Sequence, residues 1–282
     1  MQTIGRRSFL TIVAGSAALS YARTLKVVGV QLYTVRNVLQ QKPEETLRAL
    51  DQIGYREAEF AGAKLEAIWP ILKQTSLKLV SIHLETAMFT TAQDKLPAAL
   101  YDAKSKGCEY AVCPYIAPKD RGGADVMRKL GDNLNKAGEM CRKSGLHLCY
   151  HNHAFEWEKV GDERLIDVLM KSTDPALVSL ELDIMWARVG GFDPAKVVEQ
   201  FGKRIALMHL KNVAEGTPTQ YNEKVPKTAF KEVGAGMIDI PSVLEAAAKA
   251  GVKHYFVEQD QTPGDPVDSL RQSYQYLAKL NF

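Results

Sequence analysis

Residues 145–153 read Gly145-Leu146-His147-Leu148-Cys149-Tyr150-His151-Asn152-His153. A glycine, the residue best suited to the left-handed turn after a helix, is followed at once by a short alternating run. Leu146, Leu148 and Tyr150 share one face of that run. Cys149, His151 and His153 share the other, which becomes polar toward the C-terminal end. A strand whose apolar face needs helices and whose other face turns polar at one end belongs in a sheet flanked by helices.

The same cadence of helix, glycine and short strand recurs at Gly54, Gly107, Gly202 and Gly251. Working outward from Leu146–His151, strands are expected at Lys26–Leu32, Tyr55–Phe60, Leu77–His83, Glu109–Cys113, Leu177–Leu182, Arg204–Leu210 and Lys253–Glu258. Helices are expected at Pro43–Gly54, Lys64–Thr75, Ala92–Gly107, Gly123–Gly145, Glu163–Lys171, Pro194–Gly202, Pro241–Gly251 and Val267–Leu280. A loop from Asn212 to Gly236 separates the seventh strand from its helix. Pro43, Pro194 and Pro241 suit the first helical turn, where a missing N–H costs nothing. Eight strand–helix units in about 255 residues is the size of a (β/α)8 TIM barrel. An open doubly wound sheet is the competing fold. It wants a glycine-rich loop after the first strand, and this chain has Gln31-Leu32-Tyr33-Thr34-Val35-Arg36 there.

The 282 residues are 46% hydrophobic and 24% charged, with a formal net charge of +3. No run of lysine or arginine stands out, which argues against a nucleic-acid partner. Arg6-Arg7-Ser8-Phe9-Leu10, the apolar stretch Thr11–Leu19 and the small residues around Ala22 describe a signal peptide of twin-arginine type. Residues 1–22 are therefore expected to be an export signal, and 23–282 a single barrel domain in the periplasm or beyond. The apolar stretch is short for a membrane span. Removing Arg6 and Arg7 with the signal lowers the charge from +3 to +1. Cys108, Cys113, Cys141 and Cys149 form no Cys-x-x-Cys pair, so they are expected as small buried side chains rather than a zinc site.

Strand parity groups the polar residues. Gln31 with Tyr33, Glu57 with Glu59, Ser81 with His83, Glu181 with Asp183, His209 with Lys211, and Glu258 with Asp260 each share a face. A single ionisable residue ending a core strand is usually a satisfied polar group. Carboxylates and imidazoles recurring at the same end of most strands point to the active-site face of a barrel. Glu, Asp and His without thiolate suit Mn2+, Mg2+, Co2+, Fe2+ or Zn2+, with oxygen-rich sets leaning to Mn2+ or Mg2+.

These residues resemble the sugar phosphate isomerase/epimerase superfamily, with its xylose isomerase-like TIM barrel. The matching stretches are Gly29–Arg36, Glu57–Gly62, Ser81–Leu84, Tyr150–Glu156, Leu182-Asp183, His209–Asn212 and Val257-Glu258. The likeness runs through the whole chain after the signal, and the combined set is more specific than any piece.

The resemblance implies a divalent metal, Mn2+ favoured, held by Asp183, His209, Glu258 and a fourth ligand near the fifth strand. Glu156 is expected in that fourth place, with His151 as the alternative. It also implies catalytic roles for Glu156, Glu258, His151 and His153, and substrate contacts from Gln31, Tyr33, Glu59, His83 and Lys211. The implied reaction is isomerisation or epimerisation of a sugar or keto-sugar by proton transfer through a metal-stabilised enediolate. The alternative is cleavage of a 3-keto-glycoside, or dehydration of an inosose-type substrate, through the same enolate. An apurinic endonuclease-like role wants more metal ligands than six histidines offer, and a non-catalytic sugar-binding role leaves the ligand set without a use. The expected partner is a small carbohydrate, unphosphorylated if the chain is exported, and a homo-oligomer is compatible with the sequence.

Overall fold

The computed structural model describes residues 23–62 and 65–282. The expected signal peptide at 1–22 lies outside the described residues. Eight parallel strands close into a barrel: β1 (Gly29–Gln31), β2 (Glu57–Ala61), β3 (Lys78–His83), β4 (Tyr110–Cys113), β5 (His147–His151), β6 (Val178–Asp183), β7 (Ile205–Leu210) and β8 (His254–Val257). Each strand pairs with its sequence neighbours, and β8 closes on β1 through Gly29–Phe256 and Val30–Val257. The TIM barrel expected from the cadence is the observed fold. Among the described residues no helix is long and apolar enough to cross a membrane.

The helices form where local chemistry and periodicity agree. Ala124–Lys143 buries Met127, Leu130, Leu134, Ala137 and Cys141, a stripe at helical spacing that packs on the barrel. Pro194–Phe201, Ile240–Ala250 and Pro266–Lys279 each begin with proline in the first turn. Each is capped by an aspartate: Asp193 accepts from the Ala195 N–H, Asp239 from Ser242 and Asp265 from Val267. Gly251 ends its helix at φ 85°, a left-handed conformation that disfavours other residues. All four cysteines are buried and unpaired, as expected.

Some boundaries differ from the sequence reading. The first strand is only Gly29–Gln31, because the Gln31 side chain accepts from the Tyr33 N–H and turns Leu32–Val35 into a 3-10 helix. A short helix at Ile184–Val189 was not anticipated. The long loop after β7 contains a small ribbon, Asn212–Val213 with Phe230–Lys231.

The barrel interior is layered. An apolar plug of Val80, Tyr110, Val112, Cys149, Leu207 and Phe256 fills its middle. A Cβ on Gly29 would lie 2.5 Å from the Phe256 ring, so this glycine makes room for the plug. Above the plug the strand ends turn polar and open into a cavity. The register slips next to Glu59, on β2 against β3, and next to Glu181, on β6 against β7. Such irregularities re-aim side chains near active sites.

Candidate metal centre and active site

Asp183 ends β6 and caps the helix Ile184–Val189. Its Oδ1 accepts from the Met185 and Trp186 N–H groups at 2.9 and 3.0 Å. Its other oxygen, Oδ2, is buried and lies 3.0 Å from the Lys211 ammonium. His209 is the penultimate residue of β7, with its Nδ1 2.9 Å from Glu258 Oε2, and Glu258 follows β8 directly. One donor atom from each of Asp183, His209 and Glu258 lies within 4.8 Å of the others, and all three residues are buried. Two carboxylates and one imidazole are a donor set that suits a divalent cation, which would displace the Lys211 ammonium from beside Asp183 and Glu258. Three protein donors also leave positions free for substrate.

His209 is held from behind. Its Nε2 stands 2.6 Å from Glu59 Oε1, which also accepts from Gln31 Nε2 at 2.7 Å. When Nε2 carries the proton and donates it to Glu59, Nδ1 is free to face the cation. Gln31 and Glu59, expected to touch substrate, are instead wholly buried beneath His209. Interior parity was read correctly for both. The depth was not, because parity does not report how far along the barrel axis a side chain lies.

Glu156 requires a second correction. Its carboxyl accepts from the Tyr150 hydroxyl at 2.6 Å and from the His153 N–H at 2.9 Å. Tyr150 lies on the helix-facing side of β5, so Glu156 is drawn away from the barrel axis. It does not join the Asp183–His209–Glu258 group. Burial pushes its carboxyl up to about 8, although the Tyr150 hydrogen bond opposes the shift. A carboxylic acid held by Tyr150 fixes the backbone of His153 rather than a metal. His151, the alternative, comes nearer: its Nε2 is 3.7 Å from Asp183 Oδ2 and its Nδ1 is 3.1 Å from Glu181 Oε2.

Lys211 is buried among Asp183, Glu258 and Asp260, with Nζ 3.0, 2.6 and 2.9 Å from their oxygens. Burial opposes its charge, but the three carboxylates outweigh it and hold the ammonium protonated well above its ordinary range. His151 and His153 go the other way. Burial lowers both, and nearby cations reinforce the effect, so both imidazoles are neutral. His153 Nδ1 is buried and has no partner.

His83, His151, His153, Lys211 and Glu258 line a cavity of about 510 Å³, with Tyr33 half-exposed at its rim. Sequence reasoning missed the aromatic residues of the cavity, Tyr115 and Trp186, which pack on His153, and Phe230, together with Glu223 and Lys227. Trp186 stands on the short helix Ile184–Val189 and Phe230 on a two-residue ribbon strand, and the others on loops or turns, all too short to show a period. Arg121 ties two such segments together, reaching Glu223 at 3.0 Å and stacking 3.9 Å above the Phe155 ring. Asp260 shares the parity of Phe256 and Glu258 and pairs with Lys211 from beyond β8.

Residues 29–280 match the family model described as the xylose isomerase-like TIM barrel. A curated relative, the inosose dehydratase of Geobacillus kaustophilus, is 28% identical over 198 residues, 62% of this chain and 64% of that protein. The matched stretch thus spans less than two thirds of that relative. Among solved structures, a sugar phosphate isomerase/epimerase from Parabacteroides distasonis superposes with a TM-score of 0.75 at 21% identity, covering 90% of this chain and 98% of the other. The IolI protein with a bound zinc atom superposes at 0.69 with 12% identity, covering 91% and 99%. At these identities the structural neighbours speak to the fold.

Proposed function

Because the chain belongs to the xylose isomerase-like TIM barrel family, we propose that it is a metal-dependent lyase that removes water from a polyhydroxylated ketone of the inosose or keto-sugar class. The reading rests on one arrangement: a neutral, unpartnered imidazole and a buried ammonium face the same cavity beside a convergent Asp–His–Glu trio. The dehydratase identity of the curated relative supports elimination over isomerisation.

Asp183, His209 and Glu258 would hold a divalent cation, which would supply the Lewis acidity that makes the C–H next to a carbonyl more acidic. His153 lines the cavity, and burial keeps its ring neutral, so it accepts that proton on the part of the ring it presents there. Glu156 and Tyr150 fix the backbone from which His153 projects. Lys211 places a permanent positive charge where negative charge builds on the substrate oxygen. Trp186 and Phe230 give the ring of the substrate an apolar wall and keep water away. The protonated His153 then returns its proton to the departing hydroxyl, which leaves as water. Returning it to carbon instead would give the isomerase outcome. An exported enzyme would meet the unphosphorylated form of such a ketone.

The test is product identity. Manganese-loaded protein is incubated with a panel of inososes and keto-sugars, and products are weighed by mass spectrometry. Loss of one water is expected. Products that all keep the substrate mass would overturn the lyase reading in favour of the isomerase.

A further inference from the structure

Beneath the Asp183–His209–Glu258 trio lies a second set of donors. His83 Nε2 stands 2.8 Å from Glu181 Oε2 and 3.0 Å from Glu59 Oε1, and His151 Nδ1 is 3.1 Å from Glu181 Oε2. Ligating atoms of His83, His151, Glu181 and His209 all lie within 4.8 Å of one another. Glu59 and Glu181 are wholly buried, and each has one engaged oxygen and one bare one. Glu59 Oε1 takes Gln31 and His209, whereas Oε2 has no partner. Glu181 Oε2 takes His83 and His151, whereas Oε1 has none and lies 3.5 Å from His209 Nε2.

Bare carboxylate oxygens in a dry interior are expensive. The competing occupant is a proton on His83. It would bond one oxygen of each glutamate and leave both bare oxygens as they are. A cation with several coordination positions would engage them together with the two imidazoles. The sheet supports a built arrangement: β2 slips register next to Glu59, and β6 next to Glu181. The apolar plug around Phe256 seals the group from below, and His83 and His151 line the cavity above, which gives an ion its way in.

We propose that His83, His151, Glu181 and Glu59 form a second divalent-cation site beneath the first, suited to zinc by its two imidazoles and two carboxylates. The His209 ring stands between the two sites. Its Nδ1 faces the upper trio, and its Nε2–H remains on Glu59.

The experiment counts ions and does not depend on turnover. Chelator-stripped full-length protein is saturated with Zn2+, dialysed and analysed for bound metal, and crystals are examined by anomalous scattering at the zinc edge. Wild type is expected to hold two ions per chain, one beside Glu181. Glu181→Gln should hold one, still at the trio, and Glu258→Gln should keep the lower ion. His83→Ala repeats the test should Glu181→Gln fold poorly, and the wild-type anomalous map decides without any variant. A single ion per saturated wild-type chain, or no anomalous peak between His83 and Glu181, would overturn the proposal. The inference rests on the metal reading of the trio but not on the reaction. Failure of the lyase reading would appear as a fully loaded protein without dehydration product, whereas failure here appears in the ion count.

Discussion

Replacing Glu156 with glutamine separates two accounts of this residue. As a metal ligand it must be ionised. As placed in the structure it is a buried acid that accepts from Tyr150 and the His153 N–H. Burial raises its carboxyl from an ordinary 4.5 to about 8. A folded-state value above the unfolded one means that stability is fully present below pH 4.5 and is lost as pH rises toward 8. At about 1.4 kcal/mol per unit, the loss reaches on the order of 3 kcal/mol by pH 7. Glutamine cannot ionise, so Glu156→Gln should lack this loss. It can still accept from the His153 N–H through its oxygen and donate to the Tyr150 hydroxyl oxygen. Urea unfolding near pH 5 and near pH 8 reads the difference. Relative to wild type, the variant should gain stability by a few kcal/mol between those conditions while keeping its metal. Equal pH dependence in the two proteins, or loss of metal from the variant, would refute the reasoning.

Three further substitutions probe other parts of the account. Glu59→Gln keeps the bulk but removes the carboxylate behind His209, so the metal affinity of the trio should fall about 10–100-fold in equilibrium dialysis. Lys211→Met removes the buried charge facing the substrate and should lower kcat by about 10²–10³, with metal content retained. Gly29→Val drives a side chain into the Phe256 ring. It should cost about 1–3 kcal/mol of unfolding free energy in urea, and an unchanged midpoint would mean the plug is looser than described.

The barrel was legible in the sequence because its signals are local. Glycines end helices, prolines begin them, and strands such as Leu146–His151 alternate with period two. Parity also brought Asp183, His209 and Glu258 to the polar ends of their strands, but it was the family resemblance that singled them out from Glu181, Lys211 and Asp260 beside them. The placement of Glu156 was not legible. It follows β5 by five residues, in a 3-10 turn where no period applies, and the hydrogen bond from Tyr150 decides its direction. Gln31 and Glu59 show a subtler limit: parity placed them inside, but barrel stagger decided that they support His209 rather than meet substrate. Trp186, Phe230 and Glu223 come from a short helix, a two-residue ribbon strand and a loop, elements too short to leave a period in the sequence.

The central claim is that elimination depends on a divalent ion at Asp183, His209 and Glu258. Its most direct test measures formation of the dehydrated product by chelator-stripped protein as Mn2+ is added back, beside Glu258→Gln treated identically. The account predicts no product from the stripped protein, recovery that rises with restored metal, and no recovery in the variant. Full turnover by protein shown to be free of metal, or by Glu258→Gln, would contradict it.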